Sequence, residues 1–243
     1  MKPLGILSGT ILLQGRGIFA DLKPARLDTA FGEALVFRSR EVVLIPRHGA
    51  DPDRHVMPHM INHAANLQAL KALGVAEVIG IHSTGSLKNR LQPGMLVVPD
   101  DYLMLMPGPT AIRERAVHIT PRLSEPVRQK WLAAAAGCGI PAAASGVYWQ
   151  TAGPRLETRA EIAMMAPFAD LVGMTMASEA VVAQELELAF ASLCSVDNFA
   201  HGIGEKPLTM EEILAHARKN GEAIQRIVTA YLERYLQDET SLR

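Results

Sequence analysis

The chain has 243 residues, of which 49% are hydrophobic, which is enough to bury one substantial α/β core without requiring a second domain. Its formal net charge is −1, so no general electrostatic field attracts nucleic acid or an anionic membrane. We therefore expect neither as a partner, and an anionic substrate would need a local cluster of hydrogen-bond donors.

Cysteine usage and hydrophobic run lengths indicate the compartment. The two cysteines, Cys138 and Cys194, are far apart in apolar runs, which favours reduced buried thiols over a disulfide. The apolar N-terminal stretch is too short and too soon interrupted for a signal peptide, and no apolar run approaches membrane-spanning length. These features predict a cytoplasmic protein.

Short buried apolar runs alternate with helical patterns along the whole chain. The runs predict strands at 4–7, 42–45, 77–81, 95–98, 147–151, 171–174 and 190–196, and a hairpin formed by 31–37 and 38–41. Helices are predicted at 58–73, 124–136, 158–165, 178–186 and, long and amphipathic, 210–236. Strands separated by helices predict one α/β domain over 1–243, with a mixed, mostly parallel central sheet flanked by helices.

Small, hydroxyl-bearing or charged residues follow nearly every predicted strand. Three such loops are Ser8-Gly9-Thr10, Arg47-His48 and Ser83-Thr84-Gly85-Ser86. Ligands of open α/β sheets bind at the carboxyl ends of strands, and glycine, hydroxyl and guanidinium donors suit an oxyanion. Each loop alone could be an ordinary turn, and no Walker-type or dinucleotide-binding glycine motif is present. Together they predict an anion site.

A longer set of motifs resembles one known family. The motifs are Ser8-Gly9-Thr10, Arg47-His48-Gly49 with His55 and Met57-Pro58, Asn62-His63-Ala64-Ala65-Asn66, Gly85-Ser86-Leu87 with Gln92-Pro93-Gly94, Gly153-Pro154-Arg155, Arg159-Ala160-Glu161, Gly173-Met174-Thr175 and Glu179. In this order and spacing they cover nearly the whole chain. They resemble the methylthioadenosine phosphorylase and trimeric purine nucleoside phosphorylase family.

The resemblance implies a homotrimeric nucleoside phosphorylase with no metal and no organic cofactor, using inorganic phosphate as co-substrate. By matching position, Met174 would lie under the ribose, and phosphate would be held by Thr10, Arg47, His48, Ser83 and Thr175. The family has a hydroxyl residue before Ser83, where this chain has His82. That histidine could either add a donor or crowd the site.

The reaction of such enzymes requires no protein nucleophile. Phosphate displaces the purine at C1′ through an oxocarbenium-like transition state, while electron density moves into the departing base. The rate acceleration comes from the positioning of phosphate and from a hydrogen bond near N7 of the base. By resemblance, the catalytic hydrogen bond falls to Asn198.

The base-reading positions point to a 6-oxopurine. Methylthioadenosine enzymes usually carry aspartates at the positions of Asn198 and Ala200. Enzymes for hypoxanthine and guanine nucleosides instead carry an asparagine and a glutamate at the positions of Asn198 and Glu157, as this chain does. A carboxylate facing N1–H and an amide facing O6 and N7 suit that base, and Leu156 would contact it too. Alternatively, Glu157 caps the following helix, Asn198 is a turn residue, or Asp197 contacts the base.

The sugar positions point to a 5′-methylthio group. Hydroxyl-specific relatives place histidine where Met210 stands, and Met210 and Leu214 share one helix face. Core packing would explain the same spacing. His118 matches the family position that reaches the 5′ pocket of a neighbouring subunit.

The sequence therefore predicts phosphorolysis of methylthioinosine or methylthioadenosine to free purine and 5-methylthioribose 1-phosphate, a step of purine salvage. One alternative is a phosphorylase of inosine and guanosine. Another is a weakened homologue that binds purines or aromatic ligands. A nucleosidase that uses water is disfavoured, because water needs no anion cradle such as Arg47-His48.

Overall fold

The computed structural model describes residues 2–9, 17–51, 53–114, 116–204 and 209–241. Its strands are β1 (Leu4–Ser8), β2 (Lys23–Thr29), β3 (Gly32–Arg38), β4 (Val42–Pro46), β5 (Glu77–Ser86), β6 (Leu96–Val97), β7 (Asp101–Leu103), β8 (Ala142–Ala143), β9 (Val147–Gln150), β10 (Leu171–Gly173) and β11 (Ala189–Phe199). Its helices are α1 (His63–Ala72), α2 (Glu125–Gly137), α3 (Arg159–Met165), α4 (Met176–Glu185) and α5 (Met210–Ser241).

The strands form one mixed sheet in the order β2-β3-β4-β1-β5-β10-β9-β7, and β11 pairs with β5 and β6 while β6 pairs with β8. Strand β1 is parallel to β4 and β5, and β11 is parallel to β5. The β2–β3–β4 meander and the β5–β10 pair are antiparallel. The predicted fold class, a mostly parallel sheet flanked by helices, is confirmed.

Strand β5 is where the sheet divides. Its first half pairs with β1 at Val78–Gly80, and its last residues, Gly85 and Ser86, pair with β10 on the same edge. Along the described chain, no strand pairs with that edge at residues 81–84. A gap therefore opens at the carboxyl ends of β1 and β4, and it positions the site.

Helices cover both faces of the sheet, and the central strands β1 and β4 are buried along their whole length, as parallel strands covered on two sides are. Helices α2 and α5 pack on one face, where the rings of Trp131 and Tyr231 meet with centroids 5.0 Å apart. Helices α1 and α4 pack on the other face through residues such as Leu67, Leu70 and Val182.

Two sequence predictions of local structure are wrong. The hairpin partner of β3 is β2, with Leu27 opposite Ala34, and residues 39–41 connect β3 to β4. Strand β2 is a largely exposed edge strand, so it carries charged residues and Pro24 and lacks the apolar run by which the other strands were predicted. The helix predicted from residue 58 begins as α1 at His63, because the Asn62 side chain accepts from the Ala65 N–H and caps it there.

Neither cysteine is in a disulfide; Cys194 is buried and Cys138 half-buried. Among the helices described, none has the length and apolar character needed to cross a bilayer.

Candidate active site

A cavity of about 390 Å³ lies at the carboxyl ends of β1, β4, β5, β10 and β11. Its lining residues are Gly9, Arg47, His48, His55, Met57, Pro58, Ser83, Thr84, Gly85, Pro154, Leu156, Glu157, Val172, Gly173, Met174, Thr175, Asn198, Ala200 and Ile213. The cavity is polar at the end near Gly9 and flanked by apolar side chains elsewhere, which suits an anion beside a flat, mostly apolar ligand.

The structure brings most predicted site residues to this one cavity: Arg47, His48, Ser83, Leu156, Glu157, Met174, Thr175 and Asn198. Thr10 lies outside the described residues, as does the side chain of Met210, which begins α5. Leu214 is not brought to the cavity and is 39% exposed, whereas its neighbour Ile213 lines it. His118 is exposed and away from the cavity of its own chain.

Arg47 follows β4 and fills the gap in the sheet. Its Nη2 donates to the Leu7 carbonyl at 2.9 Å and its Nη1 to the Ile81 carbonyl at 2.8 Å. Its Nε and Nη2 also form a two-pronged ion pair with the carboxylate of Glu179, buried on α4. One Nη1 proton is left without a partner in the described parts of the chain. It faces Gly9, where a Cβ atom would lie 2.6 Å from Nη1.

His82 lies behind this ion pair, outside the cavity. Its Nε2 lies 3.0 Å from Oε2 of Glu179 and its Nδ1 lies 2.6 Å from Oγ of Ser192. Burial, reinforced by Arg47, lowers the pKa of His82 to about 4, so the ring is neutral at pH 7. Burial opposes ionisation of Glu179, but Arg47 and His82 outweigh it and hold the pKa of its carboxyl below its usual value. His82 thus neither adds a donor to the cavity nor crowds it.

His48 is neutral too, because burial lowers its pKa to about 4 against the opposing effect of its bond to the Val56 backbone. Its Nδ1 lies 2.8 Å from the Val56 carbonyl, which can only accept, so Nδ1 carries the proton. Nε2 is then an acceptor, and it lies near the same space above Gly9, 3.6 Å from a Cβ placed there. The ring stacks on His55, with centroids 4.5 Å apart.

Thr175 is the N-cap residue of α4, yet its side chain makes no capping hydrogen bond. Backbone amide groups of the first turn donate to side chains of β9 instead: Thr175 and Met176 donate to the Tyr148 hydroxyl, and Ser178 donates to the side-chain Oε1 of Gln150. The hydroxyl of Thr175 therefore remains available to a ligand, while the helix terminus itself is occupied.

Glu157 and Asn198 also line the cavity. Glu157 is 8% exposed, and its Oε1 accepts from the Thr151 hydroxyl at 2.6 Å. The interpretation of Glu157 as a helix cap is wrong, because Thr158 and Glu161 form the capping box of α3.

Asn198 is not a turn residue. It belongs to β11 opposite Gly85, and its Nδ2 donates to the Phe199 carbonyl at 2.8 Å. The register shifts between Val196 and Asn198, which leaves Asp197 directed away from the cavity. Asp197 is fully buried and accepts from Ser195 and Asn220, so it is not the base contact.

Met174 forms the floor of the cavity beside Gly153. A Cβ on Gly153, whose φ is +65°, would lie 2.5 Å from the Met174 sulfur, so only glycine allows this approach. Among the described residues, no cluster of histidine, cysteine or carboxylate side chains could hold a metal ion.

Sequence reasoning missed two lining or supporting residues, Thr151 and Ile213. Thr151 ends a predicted strand, which was a usable signal. Ile213 is three residues after Met210 and Leu214 is four residues after it. Both spacings place a residue on the same helix face as Met210, so Ile213 was an equally good candidate.

The fold and cavity define an α/β protein with guanidinium, imidazole and hydroxyl groups in one cavity at the carboxyl ends of its strands. Residues 19–233 match the family model of the phosphorylase superfamily. A protein named "Probable 6-oxopurine nucleoside phosphorylase" from Archaeoglobus fulgidus is 39% identical over 241 residues, 97% of this chain and 98% of that protein. One named "Probable S-methyl-5′-thioinosine phosphorylase" from Methanocaldococcus jannaschii is 36% identical over 242 residues, 94% and 91% of the two chains.

A solved structure of methylthioadenosine phosphorylase from Schistosoma mansoni in complex with adenine superposes with a TM-score of 0.86. Its sequence identity is 23% over 97% of this chain and 92% of that one, so this likeness concerns the fold. The chain belongs to the phosphorylase superfamily. The family predicted from the sequence motifs is thereby confirmed, and so is the predicted class of enzyme, a phosphorylase.

Proposed function

We propose that this enzyme cleaves 5′-methylthio 6-oxopurine nucleosides, with methylthioinosine as its best substrate, using inorganic phosphate. The observation that carries the proposal is that Glu157 and Asn198 line the same cavity. The products are hypoxanthine and 5-methylthioribose 1-phosphate, which fits a role in purine salvage in the cytoplasm.

The base is selected by the carboxylate of Glu157. Because Thr151 occupies Oε1, the carboxylate is held in place and Oε2 can accept from a ligand. Hypoxanthine presents an N1–H donor to it, whereas neutral adenine presents a lone pair at N1. One Nδ2 proton of Asn198 goes to the Phe199 carbonyl, and the other is shared between N7 and O6 as the base leaves, stabilising the electron density that moves into the purine. Leu156 packs on the base.

Phosphate binds in the space above Gly9, where the Arg47 Nη1 proton and the His48 Nε2 lone pair converge. A hydrogen phosphate ion satisfies both, since its charged oxygens accept from Arg47 and its own O–H donates to His48. Thr175 supplies a hydroxyl donor on an adjacent wall, and Ser83 also lines the cavity, with its side chain hydrogen-bonded to Asp197. Thr10 completes the set, so every donor comes from the protein and no cofactor takes part.

The 5′ end of the sugar faces α5. Ile213 supplies an apolar contact from that helix, and Met174 lies under the ribose ring; by resemblance, Met210 belongs to the same 5′ pocket. We propose a homotrimer in which His118 of the partner subunit closes this pocket. An apolar lining favours a methylthio group over a hydroxyl, because burying the sulfur-methyl group is worth about 1–3 kcal/mol.

A second candidate is a phosphorylase of ordinary 6-oxopurine nucleosides with a 5′-hydroxyl. The observation that favours it is the relative named for 6-oxopurine nucleosides, which is 39% identical to this chain. The two candidates share the base and phosphate sites and differ only at α5.

The test is to identify the products formed from methylthioinosine with and without phosphate. We expect 5-methylthioribose 1-phosphate and a rate that saturates with phosphate. Free 5-methylthioribose formed at the same rate without phosphate would establish a nucleosidase, and tight purine binding without turnover would establish a binding protein. Inosine assayed in parallel decides between the two sugars.

A further inference from the structure

His82 is a buried polar residue that the proposed reaction does not use directly. It is 2% exposed and lies on β5 between Ile81 and Ser83, with its ring on the far side of Arg47 from the cavity. Both ring nitrogens have partners: Nδ1 meets Ser192 on β11, and Nε2 meets Glu179 on α4, with Nη2 of Arg47 3.2 Å from the same Nε2. One neutral tautomer satisfies both: Nε2–H donates to Glu179, and Nδ1 accepts from the Ser192 hydroxyl.

Glu179 is held by three donors. Its Oε1 accepts from Nε of Arg47, and its Oε2 accepts from Nη2 of Arg47 at 3.1 Å and from Nε2 of His82 at 3.0 Å. The guanidinium is itself anchored by the Leu7 and Ile81 carbonyls, but the two bonds from Arg47 do not attach the carboxylate directly to the sheet. The third bond, from His82, ties the carboxylate to the central strand of the sheet.

The orientation of that pair decides where Arg47 presents its remaining proton. Nη1 gives one proton to the Ile81 carbonyl and directs the other to the space above Gly9. A small rotation of the guanidinium would weaken that bond to a ligand, since hydrogen bonds lose strength steeply with misalignment.

We propose that His82 is a positioning residue for phosphate: through Glu179 it fixes Arg47 so that the Nη1 proton points at the phosphate position. The inference rests on the proposed function, because it takes the space above Gly9 to be the phosphate position. A serine or threonine at position 82 could not do the same. The two imidazole nitrogens reach partners on opposite sides of the ring, whereas a single short hydroxyl cannot bridge α4 and β11.

The matched variants are His82→Gln and His82→Met. Glutamine keeps an N–H donor within reach of Glu179, whereas methionine has a comparable length and no such donor. Each variant is assayed for kcat, the phosphate KM and the nucleoside KM. The shift in Tm caused by inorganic phosphate alone is measured as well, since a ligand that binds the folded state raises Tm.

We expect His82→Met to raise the phosphate KM about tenfold, the scale of one hydrogen bond to a charged group, and to reduce the Tm shift by phosphate. The nucleoside KM should stay within about twofold, because the base and sugar contacts are untouched. His82→Gln should recover most of the phosphate affinity.

A phosphate KM in His82→Met equal to that of the wild type overturns the inference. So does a parallel loss of phosphate and nucleoside affinity that glutamine does not restore, because that is the result of a merely structural role. If wild-type turnover does not depend on phosphate, the proposed function itself fails. Should the methionine variant not fold, Ser192→Ala tests the same link, with an expected rise in phosphate KM of about threefold and no rise as the overturning result.

Discussion

The hydroxyl of Thr151 donates to Oε1 of Glu157 at 2.6 Å, directly behind the wall on which the purine is proposed to bind. This bond fixes one oxygen of the carboxylate and leaves the other to read the ligand. In the proposed reaction, the choice between 6-oxo and 6-amino purines depends on Glu157, whose orientation is set by Thr151 rather than by helix capping.

Glu157→Gln should weaken the preference for 6-oxopurines by about 100-fold, because the amide can donate to N1 of adenine and no longer carries the charge that attracts N1–H. The ratio of kcat/KM for methylthioinosine to that for methylthioadenosine measures it. The matched control is Glu161→Gln, four residues further on. Glutamine preserves the capping box there, so the ratio should not change. An equal effect of both substitutions would contradict the assignment.

Asn198→Asp should also reduce the preference for 6-oxopurines over 6-aminopurines, because a carboxylate at this position accepts from the 6-amino group and repels O6. We expect the gain for methylthioadenosine relative to methylthioinosine to be about tenfold. Steady-state assays of the two substrates test this. A uniform loss on both substrates would mean that Asn198 acts only near N7.

Gly9→Ala should raise the phosphate KM by about tenfold or more, because the added Cβ would lie 2.6 Å from Nη1 of Arg47 and occupies the phosphate position. It is a cleaner test than Arg47→Ala, which leaves Glu179 buried without its partner and costs about 3–5 kcal/mol of stability. The control is Gly137→Ala at the end of α2, whose Cβ would meet nothing closer than 3.7 Å. Unchanged phosphate saturation in Gly9→Ala would place the anion elsewhere.

Ile213→Asn should lower the ratio of kcat/KM for 5′-methylthio over 5′-hydroxyl nucleosides about tenfold, by removing an apolar contact with the sulfur-methyl group. Leu214→Asn is the matched control, because Leu214 is 39% exposed and outside the cavity. If the control shifts the ratio and Ile213→Asn does not, the helix face inferred from the sequence is the correct one.

Folding stability should fall in mild acid. Burial lowers the pKa values of His48, His63 and His82 from 6.5 to about 4. Between those two values the unfolded chain binds more protons than the folded one, so the free energy of unfolding decreases as pH falls through this window. Asp197, whose pKa burial raises, contributes in the opposite sense.

Urea unfolding at pH values above and within that window measures the effect. His82 alone contributes on the order of 3 kcal/mol to the pH-dependent change in the free energy of unfolding. His82→Gln should therefore make the free energy of unfolding less dependent on pH. A free energy of unfolding that is constant from pH 6.5 to 5 would show that these histidines are not buried as neutral rings.

The strands that position the site were predictable because they are short apolar runs buried on both faces; β1 and β4 are buried along their whole length. The rule that ligands bind at strand ends then led to Arg47 and Ser83. Strand β2 was missed because edge strands carry polar residues, and β8 was missed because a strand of two residues shows no pattern.

Long-range partners could not be predicted. His82 meets Glu179 and Ser192 across 97 and 110 residues of sequence, so neither periodicity nor spacing indicates the contacts. The face of α5 that points to the cavity could not be predicted either, because Ile213 and Leu214 are adjacent and both apolar. Only the packing of the helix shows which of the two faces the cavity.

The most direct test of the account is the wild-type ratio of kcat/KM for methylthioinosine to that for methylthioadenosine, at saturating phosphate. The buried carboxylate of Glu157 predicts a strong preference for methylthioinosine, reaching about 10⁴-fold where the mismatched base leaves that group unpaired. A ratio of one or below would contradict the account, because Glu157 would then not read the base.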